Sequence, residues 1–220
     1  LPPYKGEIRT LAAGLAVRAQ KAGAKIRLGC EADRETVAAG RPDVLIVAAG
    51  ASPIVPALPG VSAASVVSAE DVLTGKKTVR GAVVVIGGGL VGCETAEFIL
   101  ENGDGVATVT VVEMLDRMAA TVSPTYRPFF LARLKKMGVR METSTAVAEI
   151  TAKGVKVNRK GEPGFIEGDF VVLAVGLKAD PALTEKFRSA APEVYAVGDC
   201  VAPRMIKEAV EEGFAVGMKI

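Results

Sequence analysis

The stretch from Ala82 to Glu113 constrains the fold more than any other part of the chain. It opens with Ala82-Val83-Val84-Val85-Ile86 and turns through Gly87-Gly88-Gly89-Leu90-Val91-Gly92. It continues as Cys93-Glu94-Thr95-Ala96-Glu97-Phe98-Ile99-Leu100 and rises again as Val109-Thr110-Val111-Val112-Glu113. That order predicts strand, glycine turn, helix and strand, with an acid at the second strand's end. Such a unit is suited to holding a dinucleotide. Gly87 allows the tight turn, Gly89 lets a pyrophosphate approach the backbone, and Gly92 lets helix and strand pack closely. The helix starting near Leu90 directs unpaired N–H groups and a positive dipole end at the phosphates. Gly88, Leu90 and Val91 therefore join the three glycines as candidate cofactor contacts.

Glu113 lies 21 residues past Gly92, close to the spacing of roughly 20 expected for an acid that hydrogen-bonds a ribose hydroxyl. A free 2′-hydroxyl can donate to Glu113, whereas a 2′-phosphate is repelled by it. The local chemistry favours NADH over NADPH. Arg117, four residues on, is the opposing signal, because a guanidinium can meet a phosphate.

The remaining composition excludes more than it assigns. Basic and acidic residues nearly balance, at 27 and 25, and aromatics are 5%, so neither a basic stripe nor stacking residues point to nucleic acid. Apolar runs are short and broken by glycine or charge, which predicts no membrane span. Cys30, Cys93 and Cys200 are scattered without a CxxC pair, so no metal site or redox pair is expected and a reduced, cytoplasmic protein is the natural reading. Histidine is absent, which removes the commonest general base and metal ligand. Cys93, one residue past the glycine turn, is read as buried packing rather than as a redox thiol.

Around this unit the pattern alternates. A helix is predicted over Glu7–Ala22, a short strand over Lys25–Leu28, one helical turn over Glu35–Ala39 and a buried strand over Asp43–Gly50. A proline-rich loop (Pro53, Pro56, Pro59) leads to a short helix capped by Ser68. After the nucleotide unit come a helix over Ser123–Met137, with Pro124 near its start, and a strand over Val139–Glu142. Brief strands over Ala146–Thr151, Val155–Arg159 and Gly164–Glu167 predict an antiparallel meander before the strand Asp169–Val175. That strand ends Ala174-Val175-Gly176, an echo of Val47-Ala48-Ala49-Gly50. The tail predicts a strand ending Gly198-Asp199 and a helix over Ile206–Gly217. Open α/β sheets bind ligands at such strand ends, although a lone Gly-Asp pair is most often only a turn.

The glycine turn with Glu94, the Val47–Gly50 stretch and Tyr195-Ala196-Val197-Gly198-Asp199 lie in the order seen in two-dinucleotide flavoprotein reductases. More closely, the chain resembles the C-terminal reductase portion of old-yellow-enzyme-like NADH:flavin oxidoreductases, the group of 2-enoate reductase, 2,4-dienoyl-CoA reductase and trimethylamine dehydrogenase. The stretches Pro3–Ile8, Ser68–Leu73, Val112–Leu115 and Tyr195–Arg204 carry that resemblance, which covers nearly the whole chain.

The resemblance implies an α/β fold: a Rossmann-like NAD(P)-binding domain with a β-meander, inserted in a truncated FAD-binding Rossmann-like domain. Residues 1–78 are then the later part of the FAD domain, 79–178 the NAD(P) domain and 179–220 the return to the FAD domain. It further implies that Gly87, Gly89 and Gly92 hold the NADH pyrophosphate and Glu113 the adenine ribose. Asp199 and Gly198 would contact FAD, and Ala49 and Gly50 would pass close to a nucleotide. Ala49 stands where the family usually has threonine, so a hydroxyl contact is lost. Met114, Val175 and Gly176 complete the candidate cofactor set. Glu94 matches a glutamate near the nicotinamide, against the alternative of a helix-surface charge.

No residue is expected to be catalytic by itself. The FAD domain's own first glycine fingerprint is not in the chain, nor is a barrel or a cysteine cluster. FMN and a 4Fe-4S centre are thus expected only in an N-terminal part, and FAD is expected to bind these residues weakly or not at all. The expected partners are that barrel and the first FAD-binding segment, with no nucleic acid and no membrane. Two alternatives stay open: a piece of a pyridine nucleotide-disulfide oxidoreductase or NADH oxidase, and a non-catalytic nucleotide-binding module.

Overall fold

A computed structural model of the protein describes residues 5–220. The Pro3-Tyr4 part of the resemblance lies outside the described residues. The helices and strands in chain order are α1 (Gly6–Lys21), α2 (Arg34–Ala39), β1 (Val44–Val47), β2 (Ser52–Pro53), β3 (Val66–Ser68), α3 (Ala69–Leu73) and β4 (Gly81–Ile86). There follow α4 (Leu90–Asn102), β5 (Val106–Val112), α5 (Arg127–Lys136), β6 (Arg140–Glu142), β7 (Thr145–Thr151), β8 (Gly154–Arg159), β9 (Glu162–Glu167) and β10 (Phe170–Leu173). The chain ends with β11 (Leu177–Lys178), α6 (Pro181–Glu185), β12 (Glu193–Ala196), a 3₁₀ turn (Gly198–Cys200) and α7 (Ile206–Gly217). No helix among the described residues is long and apolar enough to cross a membrane.

Two compact units form: one from the described residues through Ala13 with Val55–Gly176, the other from Gly14–Ile54 with Leu177–Ile220. The first holds a five-stranded sheet in the order β3-β10-β4-β5-β6, parallel throughout. The apolar run of β4 explains why it lies at the centre. Alternate side chains of a strand face opposite sides, and here both sides are covered. Val83 and Val85 pack with Cys93, Ala96 and Ile99 of α4 and with Phe130 and Leu134 of α5. Val84 and Ile86 pack on the other side with Ile150, Val155 and Val157 of the meander. That meander is the antiparallel sheet β7-β8-β9. Residues 55–78 contribute β3, which pairs with β10 at the sheet's edge.

The second unit is smaller in its sheets. β1 pairs in parallel with β12 and β2 pairs antiparallel with β11. Val47, Phe187, Ala190 and Cys200 form its core cluster. α2 is capped by Asp33, which accepts the Thr36 N–H at 2.7 Å.

Three expectations need correction. Lys25–Leu28 is not a strand, because apolar alternation yields strand only where a ladder partner is available. The Asp43–Gly50 strand is not buried on both faces: Ile46 is 39% exposed and, within β1, only Val47 is buried. A two-stranded sheet supplies too little cover. The helix expected from Ser123 starts at Arg127, with proline in its first turn. Residues 123–126 instead form a turn in which Ser123 O accepts from Tyr126 and Arg127. Pro128, not Pro124, therefore takes the first-turn position where no amide hydrogen is needed.

Candidate functional site

The glycine turn lies at the C-terminal end of β4, between the ends of its two parallel neighbours. β10 pairs Leu173 with Ile86, so Val175 and Gly176 emerge at the same sheet end. β5 pairs Val112 with Ile86, so Glu113 and Met114 emerge there too. Parallel pairing has thus gathered residues 87–92, 113–114 and 175–176 at one edge, where ligands of open α/β sheets bind.

Each glycine meets a different constraint. Gly87 has φ +104°, and a side chain there would run into the Ala174 carbonyl. A Cβ on Gly92 would collide with the Gly87 carbonyl oxygen, so the helix reaches the turn only because Gly92 has none. Gly89 differs: its φ is −66° and a Cβ would meet nothing within 4 Å. The backbone at Gly89 therefore borders open space. Gly89 is also the N-cap of α4. Cys93 is the first residue to bond back, to Gly89 O at 3.1 Å, which leaves the amides of Leu90, Val91 and Gly92 without intrahelical acceptors. Open backbone, free amides and a helix N-terminus fit an anionic pyrophosphate.

Gly88 is the centre of this arrangement, which its position as the middle glycine did not suggest. Its N–H donates to Glu113 Oε2 at 2.7 Å. Its carbonyl accepts from Ala119 N at 2.6 Å and from the Cys93 thiol at 3.5 Å. The other Glu113 oxygen, Oε1, accepts the Leu115 N–H at 2.8 Å. Glu113 is 8% exposed, and each oxygen carries one backbone hydrogen bond and retains acceptor capacity for a hydroxyl. The 113–119 segment is also tied to β7: Thr145 N donates to Glu113 O and Ser144 N to Leu115 O. Ala119, wholly buried with φ +50°, and Met118, against Gly88, were not singled out by sequence. A motif records spacing, and neither residue belongs to one.

Arg117 points its Nε at Asp116 Oδ1, 3.1 Å away, and the pair is exposed. The guanidinium lowers the Asp116 carboxyl below its ordinary range, first by hydrogen bonding and then by charge. Asp116 thus competes with any phosphate for Arg117.

Glu94 is not a helix-surface charge. It is 7% exposed and pairs with Lys5 at 2.5 Å. Lys5, about one-third exposed, lay within a resembling stretch but carried no assigned role. Cys93 is fully buried, and its thiol is pushed up to about 12, mainly by burial and then by the charges of Glu113 and Glu94. It stays protonated near neutrality and is no nucleophile. Glu97, 1% exposed, is held by Arg133 through Nε at 2.6 Å and through the second guanidinium nitrogen at 3.1 Å.

The second unit gathers its own residues. β1 and β12 are parallel with Val47 opposite Ala196, so Ala48-Ala49-Gly50 and Gly198-Asp199 leave the same end. Gly50 and Gly198 have φ +75° and +72°. Asp199 Oδ1 accepts the Arg204 N–H at 3.1 Å, and Gly198 N donates to Glu212 at 2.7 Å. A cavity of about 390 Å³ adjoins Val47, Ala48 and Ala49 and reaches Phe187. These residues fit part of a flavin nucleotide: an acid with a spare oxygen, and glycine backbone at strand ends. A second glycine turn for its pyrophosphate is not among the 220 residues.

Comparison with known proteins shows the family and the fold. The pyridine nucleotide-disulphide oxidoreductase family model matches residues 3–213. A NADH oxidase of Thermoanaerobacter brockii is 37% identical over 224 residues, covering 99% of this chain and 34% of that protein. A bilirubin reductase of Mediterraneibacter gnavus is 37% identical over 215 residues, covering 97% and 33%. Among solved structures, a 2-naphthoyl-CoA reductase complex superposes with a TM-score of 0.87 at 33% identity, covering 93% of this chain and 31% of that one. The chain spans about a third of the length of these relatives. It belongs to the pyridine nucleotide-disulphide oxidoreductase family, with the Rossmann-like α/β fold of FAD- and NAD(P)-binding flavoprotein reductases.

Proposed function

We propose that this chain is the NADH-binding, electron-input module of a longer flavin-dependent oxidoreductase of the enoate-reductase type, working in the reducing cytoplasm. The observation that carries the reading is the open backbone at Gly89, set beside free helix amides and the doubly anchored carboxylate of Glu113. Gly87 to Gly92 receive the pyrophosphate, Glu113 accepts the ribose hydroxyls, and Met114 and Val175–Gly176 border the same site. Glu94, held by Lys5, sits just inside the helix. In the second unit Ala49, Gly50, Gly198 and Asp199 contact FAD.

When both cofactors are bound, a nicotinamide supplies hydride and a flavin accepts it. This chain's residues bind and orient them; none is asked to move a proton. The barrel with FMN and a 4Fe-4S centre, and the first FAD-binding segment, belong to the remaining two-thirds of a protein sized like the relatives. The 220 residues alone then bind NADH and transfer nothing.

These 220 residues supply no thiol pair for a disulfide-reductase reading. Of three cysteines, Cys93 and Cys200 are buried and Cys30 stands exposed without a partner. The test is a fluorescence titration of the purified chain with NADH and NADPH. Saturable NADH binding, at least tenfold tighter than NADPH, is expected. No NADH binding sinks the reading of the glycine turn, and tighter NADPH binding sinks the role given to Glu113. Flavin that copurifies with these residues would contradict the view that FAD needs the earlier segment.

A further inference from the structure

The Gly198–Asp199 turn is closed by a residue that no motif indicates. Glu212 lies in the second turn of α7, and its Oε2 accepts the Gly198 N–H at 2.7 Å. Its Oε1 takes the guanidinium of Arg204. The Arg204 backbone N–H donates to Asp199 Oδ1 at 3.1 Å, and Arg204 Nε donates to the Ala202 carbonyl at 3.2 Å. The contacts form a ring through Gly198, Glu212, Arg204 and Asp199, completed by the peptide bond between Asp199 and Gly198. Among the described residues Asp199 Oδ2 takes no hydrogen bond.

We propose that Glu212 is the positioning residue of this turn, setting how tightly Asp199 and Gly198 hold a flavin nucleotide. The inference rests on the flavin contact given to Asp199 above. Three physical points support it. Gly198 has φ +72°, a conformation that glycine tolerates but does not prefer over others, so an external acceptor for its N–H selects this conformation. Among the described residues the Asp199 carboxylate is held only by the backbone of Arg204, and the Arg204 side chain is held by Glu212 and by the Ala202 carbonyl. Both bonds at Glu212 are to a full charge or from a backbone amide to a carboxylate, the stronger class of hydrogen bond. The Arg204 guanidinium, and then the Gly198 amide, hold the Glu212 carboxyl below its ordinary range, so it stays ionised through the neutral region. Glu212 need not touch the nucleotide. Its effect passes through the turn.

The experiment uses the protein as encoded, with whatever precedes and follows these residues. Glu212→Ala and Glu212→Gln are compared with wild type by the FAD dissociation constant from flavin fluorescence, by the visible flavin spectrum, by NADH affinity and by thermal unfolding. Glu212→Ala is expected to weaken FAD at least tenfold and leave NADH affinity within twofold. Glu212→Gln, which keeps an acceptor for Gly198 but loses the charge facing Arg204, is expected to fall between. Wild-type FAD affinity should decline as acid protonates Glu212, and that part of the pH dependence should vanish in Glu212→Gln. Equal FAD affinity in wild type and Glu212→Ala overturns the inference, and so does a parallel fall of FAD binding, NADH binding and thermal stability. A wild-type protein that holds no flavin refutes the reading of Asp199 itself, a result distinguishable from the first two.

Discussion

Gly88 and Glu113 are joined by a 2.7 Å hydrogen bond from backbone amide to buried carboxylate. The bond ties the glycine turn after β4 to the acid that ends β5. In the proposed site, the acid assigned to the ribose also holds the turn assigned to the phosphates.

Replacing Glu113 should therefore not simply switch cofactor. Glu113→Ala leaves the amides of Gly88 and Leu115 without their acceptor, at a cost of about 1–3 kcal/mol for an unsatisfied buried group. The expected outcome is a lower Tm and weaker NADH binding, with no compensating gain for NADPH. Calorimetry beside titrations of both nucleotides checks it, and a variant that prefers NADPH at unchanged stability contradicts the coupling.

Gly89 and Gly92 separate binding from folding. Gly89→Ala places its methyl group in open space at an ordinary φ, so its stability cost is that of a poorer N-cap, about 1 kcal/mol or less. NADH affinity should nonetheless drop at least tenfold, because the proposed site has the phosphates approach through that space. Gly92→Ala drives a methyl group into the Gly87 carbonyl and should destabilise by about 1–3 kcal/mol, as overpacking does. Denaturation midpoints and NADH titrations on the pair give the comparison. If Gly89→Ala binds NADH normally, the phosphate assignment is wrong.

Thiol chemistry should distinguish the three cysteines. Only Cys30 is exposed, and the Cys93 thiol is pushed up to about 12. Alkylation at pH 8 should label Cys30 quickly and leave Cys93 and Cys200 intact until the protein is unfolded. Peptide mapping after a timed pulse reads this directly. Rapid native labelling of Cys93 would reopen a redox role for it.

Acid should weaken the second unit through identifiable groups. Asp33 is lowered mainly by the Thr36 amide and Glu212 mainly by Arg204. A carboxyl depressed in the folded state contributes stability that is present above its unfolded pKa and lost as pH falls through its folded one. Tm should thus hold steady above about pH 5 and decline below about pH 4, where carboxylates protonate. Asp33→Asn keeps an N-cap acceptor of similar quality, so its Tm at pH 7 should change little while its decline in acid becomes shallower. Identical acid profiles for the two proteins would remove Asp33 from the account.

Local chemistry made much of this legible from the chain alone. The central strand, the glycine turn, α4 and the meander follow from periodicities and turn residues that act over a few positions, and Glu113 from the spacing of one strand–turn–helix–strand unit. The errors share a cause as well. Lys25–Leu28 has strand composition without a ladder partner. Asp43–Gly50 has the apolarity of a covered strand, yet Ile46 is 39% exposed. Pro124 and Pro128 satisfy the same helix-start rule, and the helix takes Pro128.

The sequence by itself determined that a dinucleotide-type strand–turn–helix unit forms and which acid faces it, because the spacing through one strand–turn–helix–strand unit sets both. Tertiary structure alone decided that Gly88 anchors Glu113, that Lys5 neutralises a buried Glu94, and that Glu212 closes the Gly198–Asp199 turn. Those pairs stand 25, 89 and 14 residues apart. A hydrogen bond or ion pair across such separations depends on strand order and helix docking, which no local pattern encodes.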